Sequence, residues 1–322
     1  MNYLIGTDEA GYGPNLGPLV VTGTLWQVPD VQADLYHLLS KVIGSKRSPD
    51  HITVCDSKSL YKSSGTIEAL ERSVLSLIES QTGSKAIDWR NLVKRLGCGR
   101  KKSETEPWLI GARLPLPLLA NSEETKKLYQ QFQTVCDSAG VKLLGVKTTT
   151  LFPKEFNQAI EEQGNKATVL STTTLNIVSE LVDQATKQHP NSERNQIRIV
   201  CDKHGGRSKY AGIIQHCLTT QPVKIHQESL EASQYTWTTD DSDVQIEFNA
   251  RGEGALPVAL SSMVSKYVRE IYMKLWNRFW MNHLPNIKPT KGYPQDAKRF
   301  MAEIQSCCQK LKIEKEAIWR SR

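Results

Sequence analysis

Two adjacent carboxylates, Asp8 and Glu9, follow the first apolar run of the chain and constrain its fold more than any other feature. The preceding letters NYLIGT are typical of a buried strand, and a glycine-rich turn comes directly after the pair. Burying an unpaired carboxylate costs several kcal/mol, roughly, unless a cation compensates the charge. The pair therefore indicates a bound metal ion, a basic ligand, or an exposed position where the charge matters little.

Composition sets broad limits on the class of protein. With 322 residues the chain forms one large domain or two small ones. An excess of 41 Lys and Arg over 34 Asp and Glu gives a net charge of +7, which weakly favours polyanionic partners. The seven cysteines show neither CxxC nor Cys/His zinc spacing and predict reduced thiols. Without a membrane-length apolar run or a signal pattern, we expect a cytoplasmic protein with no membrane partner.

Apolar periodicity predicts strands and helices that follow one another along the chain. The predicted strands are residues 3–8, 19–26, 52–55, 141–148, 196–202 and 223–227, and a hairpin of 235–238 with 244–248. The predicted helices are residues 65–80, 123–139, 166–187, a long one from Pro257, and 294–311. This order predicts an α/β sheet covered on both faces. We expect one domain over residues 1–322, with an insertion at about 81–123 and a helical C-terminal region from about 257.

Three aspartates, Asp8, Asp56 and Asp202, end apolar strand-like runs. Ligands gather at the carboxyl ends of strands in open α/β sheets, so at least two of these side chains are expected to converge. Clustered carboxylates suit Mg²⁺ or Mn²⁺ better than zinc, and two such ions promote phosphodiester hydrolysis. Each aspartate taken alone is equally well explained as a turn or cap residue.

Five segments together resemble a known family. GTDEAGYGPNLGPLVV resembles the signature of type 2 ribonucleases H (the ribonuclease HII family), in which Asp-Glu is followed by Ala-Gly-x-Gly and then Gly-Pro. CDSKSL, IVCD, GEGALPVALSSMVSKYVRE and KGYPQDAKRF resemble the later family elements, in the family's order. The resemblance implies a ribonuclease H-like mixed sheet with helices on both faces. It also implies a site of four acids and two Mg²⁺ or Mn²⁺ ions, acting on an RNA–DNA hybrid or a ribonucleotide-containing duplex.

The resemblance assigns four acids to catalysis and metal binding. They are Asp8, Glu9, Asp202 and Glu253. Glu253 stands four residues before Pro257, where the family mostly has Asp. Counting back from Lys266 gives Gly252 instead, so this segment is about one residue shorter than the usual pattern. Glu247, in the predicted hairpin, is the fallback for the fourth acid.

Other residues are expected to contact the substrate. Gly11-Tyr12-Gly13 stands where the family usually has Gly-Arg-Gly, whose backbone senses the 2′-hydroxyl of a ribonucleotide. The two glycines permit close backbone approach, but without the Arg we expect weaker preference for a single embedded ribonucleotide. Tyr293 matches a tyrosine that stacks on a deoxyribose. The basic residues expected near phosphates are Lys58, Lys266 and Arg269, which match family positions, and Arg207, which follows a Gly-Gly turn.

These features predict a metal-dependent endoribonuclease that cleaves the RNA strand of a hybrid, leaving a 5′-phosphate and a 3′-hydroxyl. No protein partner is implied. A nuclease with a changed substrate, suggested by Tyr12, and a non-catalytic, structure-specific nucleic-acid binder, suggested by Glu253, stay open. Asp56 is expected to orient Lys58 and its own turn, outside the metal site. His204 is either a proton shuttle or structural, and the basic residues at 90–102 are either part of a nucleic-acid track or a solvated loop.

Overall fold

The computed structural model describes residues 1–57, 60, 66–82, 87–98, 106–188 and 194–321. The strands in this part of the chain are β1 (Asn2–Ala10), β2 (Leu19–Gln27), β3 (Ile43–Gly44), β4 (Ile52–Thr53), β5 (Lys142–Leu151), β6 (Asn195–Asp202), β7 (Lys224–Glu228), β8 (Ala232–Thr238) and β9 (Ser242–Asn249). Seven of them form one sheet in the order β5-β2-β1-β6-β9-β8-β7. The short strands β3 and β4 pair with each other, apart from this sheet.

Helices cover both faces of the sheet. They are α1 (Leu35–Leu38), α2 (Glu68–Thr82), α3 (Trp89–Arg95), α4 (Ser122–Ala139), α5 (Pro153–Gln163), α6 (Lys166–Gln188), α7 (Ala211–Cys217), α8 (Leu256–His283) and α9 (Pro294–Leu311). Short 3-10 turns occur at Gly252–Gly254 and Lys315–Ala317. Among the helices described, none combines the length and apolar character needed to cross a membrane.

The centre of the sheet is parallel, and this decides where strand ends meet. β6 runs parallel to both β1 and β9, whereas the outer pairs are antiparallel. Alternate residues of β1 face opposite cores: Tyr3 and Ile5 pack in the cluster that contains residues of α6, and Leu4 packs in the cluster that contains residues of α8. Because β1 and β6 end at the same edge, Asp8 and Asp202 lie at that edge together.

The predicted fold class is confirmed: a mixed α/β sheet has helices on both faces and a helical C-terminal region. Of the strand predicted at 52–55, only Ile52–Thr53 are extended. They pair with β3 and lie outside the main sheet. Helices α5 and α7 were not predicted, since each is short and its apolar pattern covers few turns. The seven cysteines, all within the described residues, are free thiols.

Helix α8 lies unusually close to β1. A Cβ added at Gly6 would lie 2.3 Å from the carbonyl carbon of Pro257, so no larger residue fits without moving the helix. Two serines of α8 hold the contact: Ser261 Oγ donates to the Gly6 carbonyl at 2.8 Å, and Ser265 Oγ donates to the Asp8 carbonyl at 3.2 Å. The helix is therefore fixed against the strand that carries the first two acids.

The region of the predicted insertion, 81–123, contributes to the main core where the structure describes it. Trp89 and Trp108 are buried, and the Trp108 ring lies edge-on to Trp276 of α8 with ring centroids 4.5 Å apart. Trp89 and Trp108 thus pack against the long helix, through Tyr272 and Trp276. That this region is an insertion into a single domain stays a prediction.

A fully buried carboxylate ties this region to the helices. Glu71 of α2 accepts hydrogen bonds from the backbone N–H groups of Leu118, Leu119 and Ala120 at 2.7 to 2.9 Å. Tyr267 of α8 donates its hydroxyl to the same carboxylate at 2.6 Å. Four donors therefore satisfy one buried charge, which is the condition under which such a charge is tolerated.

We expect Glu71→Gln to destabilise the protein by about 3 kcal/mol, because the amide nitrogen cannot accept these hydrogen bonds and leaves buried donors unsatisfied. Urea unfolding followed by tryptophan fluorescence measures the change. The matched control is Glu180→Gln, which removes an ion pair whose glutamate side chain is 62% exposed and should cost less than about 1 kcal/mol. Equal stabilities for the two variants would contradict the assigned role of Glu71.

Candidate active site

A cleft of about 830 Å³ opens at the carboxyl ends of β1 and β6, beside the first turns of α8. Its wall is built from residues far apart in the sequence, including 8–14, 56–57, 250–251, 253–254 and Tyr293. All four acids predicted from separate motifs line it. They are Asp8 and Glu9 of β1, Asp202 at the end of β6, and Glu253 in the turn before α8.

Asp8 is the most enclosed of the four acids, with 7% of its surface exposed. Its Oδ1 accepts a hydrogen bond from the backbone N–H of Glu9 at 2.7 Å. Burial raises the pKa of Asp8 well above its usual range, and the nearby carboxylates of Glu9, Asp202 and Glu253 raise it further, while a hydrogen bond from Ser262 lowers it. The cleft thus holds concentrated negative charge around one buried carboxyl.

Ser262 connects two of the acids. Its hydroxyl donates to Glu253 Oε1 at 2.7 Å and also hydrogen-bonds to the Asp8 carboxyl. Ser57 Oγ lies 3.0 Å from Ser262 Oγ, which extends the chain of hydroxyls to the other wall. The sequence showed only a serine-rich stretch of α8. Which serine faces the acids follows from the helix position, because Ser261 turns towards Gly6 instead.

The chemical type of these side chains fits a divalent cation. All four groups offer carboxylate oxygens, which hard ions such as Mg²⁺ and Mn²⁺ prefer, and the raised pKa of buried Asp8 reports charge that a cation would neutralise. Within the described residues, however, no three His, Cys, Asp or Glu side chains are gathered closely enough to hold a metal ion. Like charges repel one another, so carboxylates without a counter-ion stand apart. The assignment of these acids as ligands stays a prediction.

Two other acids bear on the choice of the four. Glu247, the fallback for the fourth acid, lies outside the cleft wall and pairs with Arg198 at 2.6 Å, so the structure does not support it. Asp56 lines the same cleft as the four acids, beside Ser57. That it stands outside the metal site stays a prediction.

The two glycines of the Gly11-Tyr12-Gly13 segment differ in their surroundings. Gly11 has a φ of 90°, and an added Cβ would lie 2.5 Å from the Pro18 carbonyl oxygen and 2.6 Å from Arg269 Nε. Gly11 is therefore required by the fold. An added Cβ at Gly13 meets nothing within 4 Å, although Gly13 lines the cleft. Its missing side chain leaves the backbone open to a ligand.

Tyr12 lies beside two cationic side chains. Lys166, at the start of α6, has its Nζ 4.8 Å from the centroid of the Tyr12 ring. Arg207 is close enough to lower the Tyr12 pKa, although burial and Glu9 raise that pKa overall. Arg207 does not line the cleft itself, since its Nη2 donates to Thr168 Oγ1 at 3.1 Å. Sequence reasoning missed Lys166 because no local pattern links it to Tyr12.

Besides the Gly11-Tyr12-Gly13 segment, three predicted substrate contacts line the cleft: Tyr293, Lys266 and Arg269. Tyr293 is 53% exposed there, at the N-cap of α9, as an aromatic platform requires. Lys266 lines the opposite wall and pairs with Glu270 one helical turn on, at 2.6 Å. Lys58, the other lysine predicted near a phosphate, lies outside the described residues.

Arg269, predicted to contact a phosphate, lines the cleft, although only 2% of its surface is exposed. Its Nη2 donates to the Leu16 carbonyl at 3.4 Å and to the Lys291 carbonyl at 3.0 Å. Arg269 therefore holds two loops together at the wall of the cleft. Its contact with a phosphate stays a prediction.

His204 and Arg90 have internal partners. His204 is 2% exposed, its Nδ1 lies 2.9 Å from Ser171 Oγ, and burial lowers its pKa to about 3. The structural interpretation of His204 therefore holds, as it is neutral and away from the cleft wall. Arg90 donates to the carbonyls of Leu109 and Ala112. Residues 99–102 of the predicted basic cluster lie outside the described residues, so a nucleic-acid track stays a prediction.

Comparison with solved structures finds ribonucleases of types 2 and 3. The chain is similar to the structure of the PCNA:RNase HII complex from Archaeoglobus fulgidus, with 12% identity, a TM-score of 0.40, and coverage of 99% of this chain and 94% of that chain. It is similar to ribonuclease H2 from Pyrococcus horikoshii OT3, with 13% identity, a TM-score of 0.42, and coverage of 98% and 92%. It is also similar to Bst-RNase HIII in complex with Mn²⁺, with 13% identity, a TM-score of 0.41, and coverage of 99% of this chain and 66% of that chain. No family model and no curated protein matches the chain. Similarity at this level carries no conclusion about chemistry.

We expect Asp8→Asn to stabilise the metal-free protein by about 1 kcal/mol at neutral pH, as removal of a strained functional charge commonly does. The folded state holds the Asp8 proton more tightly than the unfolded chain, so stability is lost as the pH rises through the raised pKa. The gain in the variant should therefore shrink as the pH falls through the raised pKa of Asp8, and it should vanish near the pKa of the unfolded chain, about 4. Thermal unfolding in a chelator measures it.

The control for this measurement is Asp137→Asn, which changes an exposed aspartate of α4 and should show neither gain nor pH dependence. Adding Mg²⁺ or Mn²⁺ should then raise the unfolding midpoint of the original protein more than that of Asp8→Asn. If the two proteins respond equally to the ions, Asp8 is not a ligand.

Proposed function

We propose that this protein is a metal-dependent endoribonuclease that hydrolyses the RNA strand of RNA–DNA hybrid duplexes, leaving a 5′-phosphate and a 3′-hydroxyl. The observation that carries the proposal is the meeting of four acids from three separate motifs in one cleft. Asp8, Glu9, Asp202 and Glu253 are the catalytic acids in this proposal. The similarity of the sequence motifs to type 2 ribonucleases H supports the same activity.

The four carboxylates would hold two Mg²⁺ or Mn²⁺ ions. Bound ions of this kind activate a water molecule and stabilise the leaving oxygen of a phosphodiester. The residues of the chain supply the rest. Ser262 orients Asp8 and Glu253 through its hydroxyl, and the Gly252 N–H fixes Asp202 Oδ1 at 3.1 Å. These hydrogen bonds reduce the freedom of the acids before ligands arrive.

Substrate contacts follow from the cleft wall. Gly13 lets the nucleic-acid backbone approach the chain, and a 2′-hydroxyl is the group that distinguishes RNA from DNA there. Tyr293 offers an exposed ring on which a base or sugar stacks, a contact worth about 1–3 kcal/mol. Lys266 neutralises part of the phosphate charge. The partner in this proposal is a hybrid or ribonucleotide-containing duplex, and a cytoplasmic location stays a prediction.

A second candidate is a nuclease of the same fold with a changed substrate. The observation that favours it is the pairing of Tyr12 with Lys166, which puts an aromatic ring and an ammonium where the resembled family has a guanidinium. A ring supports stacking, whereas a guanidinium donates several fixed hydrogen bonds. This candidate implies little preference for a single embedded ribonucleotide.

The test is cleavage of end-labelled duplexes by the purified protein with Mg²⁺ or Mn²⁺. We expect cuts in a uniform RNA–DNA hybrid, weaker discrimination for one ribonucleotide in DNA than Gly-Arg-Gly relatives show, and no cutting of DNA. Asp8→Asn and Glu253→Gln should slow cleavage by about 100-fold or more, and Glu253→Asp should slow it less, since a shorter arm shifts the carboxylate.

The outcomes separate the candidates. Tight hybrid binding without cleavage under either metal would instead support a non-catalytic binder. A strong preference for the single ribonucleotide would refute the effect assigned to Tyr12. Full activity in Glu253→Gln would show that Glu253 is not a metal ligand. Full activity in Asp8→Asn would contradict the proposed metal-dependent mechanism.

The two glycines give a matched pair of variants. Gly13→Ala should unfold within about 1 kcal/mol of the original protein but bind hybrid about 10-fold more weakly, because the methyl group enters the open cleft. Gly11→Ala should lose stability, since its Cβ has no space and its φ is strained. Fluorescence anisotropy with a labelled hybrid, in a chelator, measures binding without cleavage. Unchanged binding by Gly13→Ala would show that substrate does not approach this segment.

A further inference from the structure

The segment 318–321 packs against the glycine-rich loop that carries Gly11-Tyr12-Gly13. Trp319 forms an antiparallel bridge with Leu16. The Arg320 N–H donates to the Asn15 carbonyl at 2.9 Å, and Asn15 Nδ2 donates back to the Arg320 carbonyl at 3.3 Å. Residues from opposite ends of the numbering thus pack together beside the loop that lines the candidate site.

The side chain of Arg320 reaches further, to the two residues next to the acids. Its Nη1 donates to the Gly11 carbonyl at 2.6 Å, and its Nη2 donates to the Tyr12 carbonyl at 3.0 Å. Arg320 is 2% exposed and does not line the cleft, so its guanidinium approaches the loop from the interior. The two arms of one planar group therefore fix two consecutive carbonyls.

Burying this guanidinium is expensive, and its partners offset only part of the cost. Burial, with a smaller contribution from Arg269, lowers the pKa of Arg320 to about 9. Two carbonyls accept its hydrogen bonds and the Phe156 ring lies 4.4 Å away, but Arg320 Nε has no hydrogen-bond partner within the described part of the chain. A buried charge that is only partly compensated is a poor means of stabilising a fold, so a function for the residue is indicated.

The loop has a particular need for such a residue. Two of its three residues from 11 to 13 are glycines, which populate many backbone conformations when nothing holds them. Pointing both carbonyls inward at Arg320 removes these acceptors from the cleft and keeps the Gly13 backbone open to it. Without the guanidinium, the same carbonyls are free to rotate towards a polyanion and repel it.

We propose that Arg320 is a positioning residue that holds the Gly11–Gly13 backbone in the conformation that accepts the nucleic-acid substrate. The nucleic-acid substrate in this inference rests on the proposed function. The effect of Arg320 on the loop conformation does not depend on it. Arg320 contacts neither the acids nor the substrate. Its loss should therefore weaken substrate binding and leave metal binding unchanged.

The experiment compares Arg320→Gln and Arg320→Lys with the control Arg194→Gln. Arg194 forms an exposed pair with Asp243 at the other end of β6, so its loss tests the general effect of removing a guanidinium. Hydrogen exchange of residues 11–17, followed by mass spectrometry, reads the loop directly. Hybrid cleavage gives KM and kcat separately, and thermal shift with Mn²⁺ reports metal binding.

In Arg320→Gln we expect exchange in 11–17 to rise about 10-fold or more, with KM for the hybrid raised roughly 10- to 100-fold. The thermal shift caused by Mn²⁺ should not change. Arg320→Lys retains the charge and one donor group, so its exchange and its KM should lie between those of Arg320→Gln and those of the original protein. Arg194→Gln should match the original protein in every measurement.

Unchanged exchange in 11–17 for a folded Arg320→Gln would overturn the proposal. Exchange that rises equally across the whole chain in both Arg320 variants would also overturn it, as the role would then be general stability. If Arg320→Gln does not fold, Arg320→Lys decides by the same criteria. If the original protein cleaves no hybrid, the proposed function fails, and the exchange measurement still decides the role of Arg320.

Discussion

The close contact between Gly6 of β1 and Pro257 of α8 is the constraint on which the candidate site depends. Only a glycine allows the strand and the helix to approach to this distance. The approach brings the turn with Glu253 and the first helical turns with Ser262 alongside Asp8. A wider spacing would leave the same residues in the sequence and no common cleft. Backbone packing, rather than any acid, is thus the primary determinant of the site.

That packing creates an electrostatic problem which the fold leaves in place. Asp8 is buried among three carboxylates, and its raised pKa measures the resulting cost. Glu71 is buried to a similar extent, yet four donors satisfy it. Glu71 therefore stabilises the fold, whereas Asp8 destabilises it. Stability lost through like charges gathered in a cleft is typical of a site that binds a ligand.

Much of this could be predicted from the sequence, and the failures have physical causes. The strands bearing Asp8 and Asp202 and the helices α8 and α9 follow from long apolar periods, which local patterns report well. That Asp56 shares a cleft with the four acids could not be predicted, because only tertiary packing brings residues 56–57 there. Arg269 was expected near a phosphate and Arg320 was not singled out, and only tertiary packing shows that both are buried against loops. Contacts such as that of Lys166 with Tyr12 leave no local sequence signal.

The contact between Arg320 and Gly11 joins residues 309 positions apart, which has a consequence for synthesis of the protein. Contacts this distant form late, since the intervening chain must first be made and ordered. A nascent chain that lacks residue 320 has every acid of the cleft but not the guanidinium that fixes the adjoining loop. The contacts of Arg320 with this loop therefore form only after residue 320 has emerged from the ribosome.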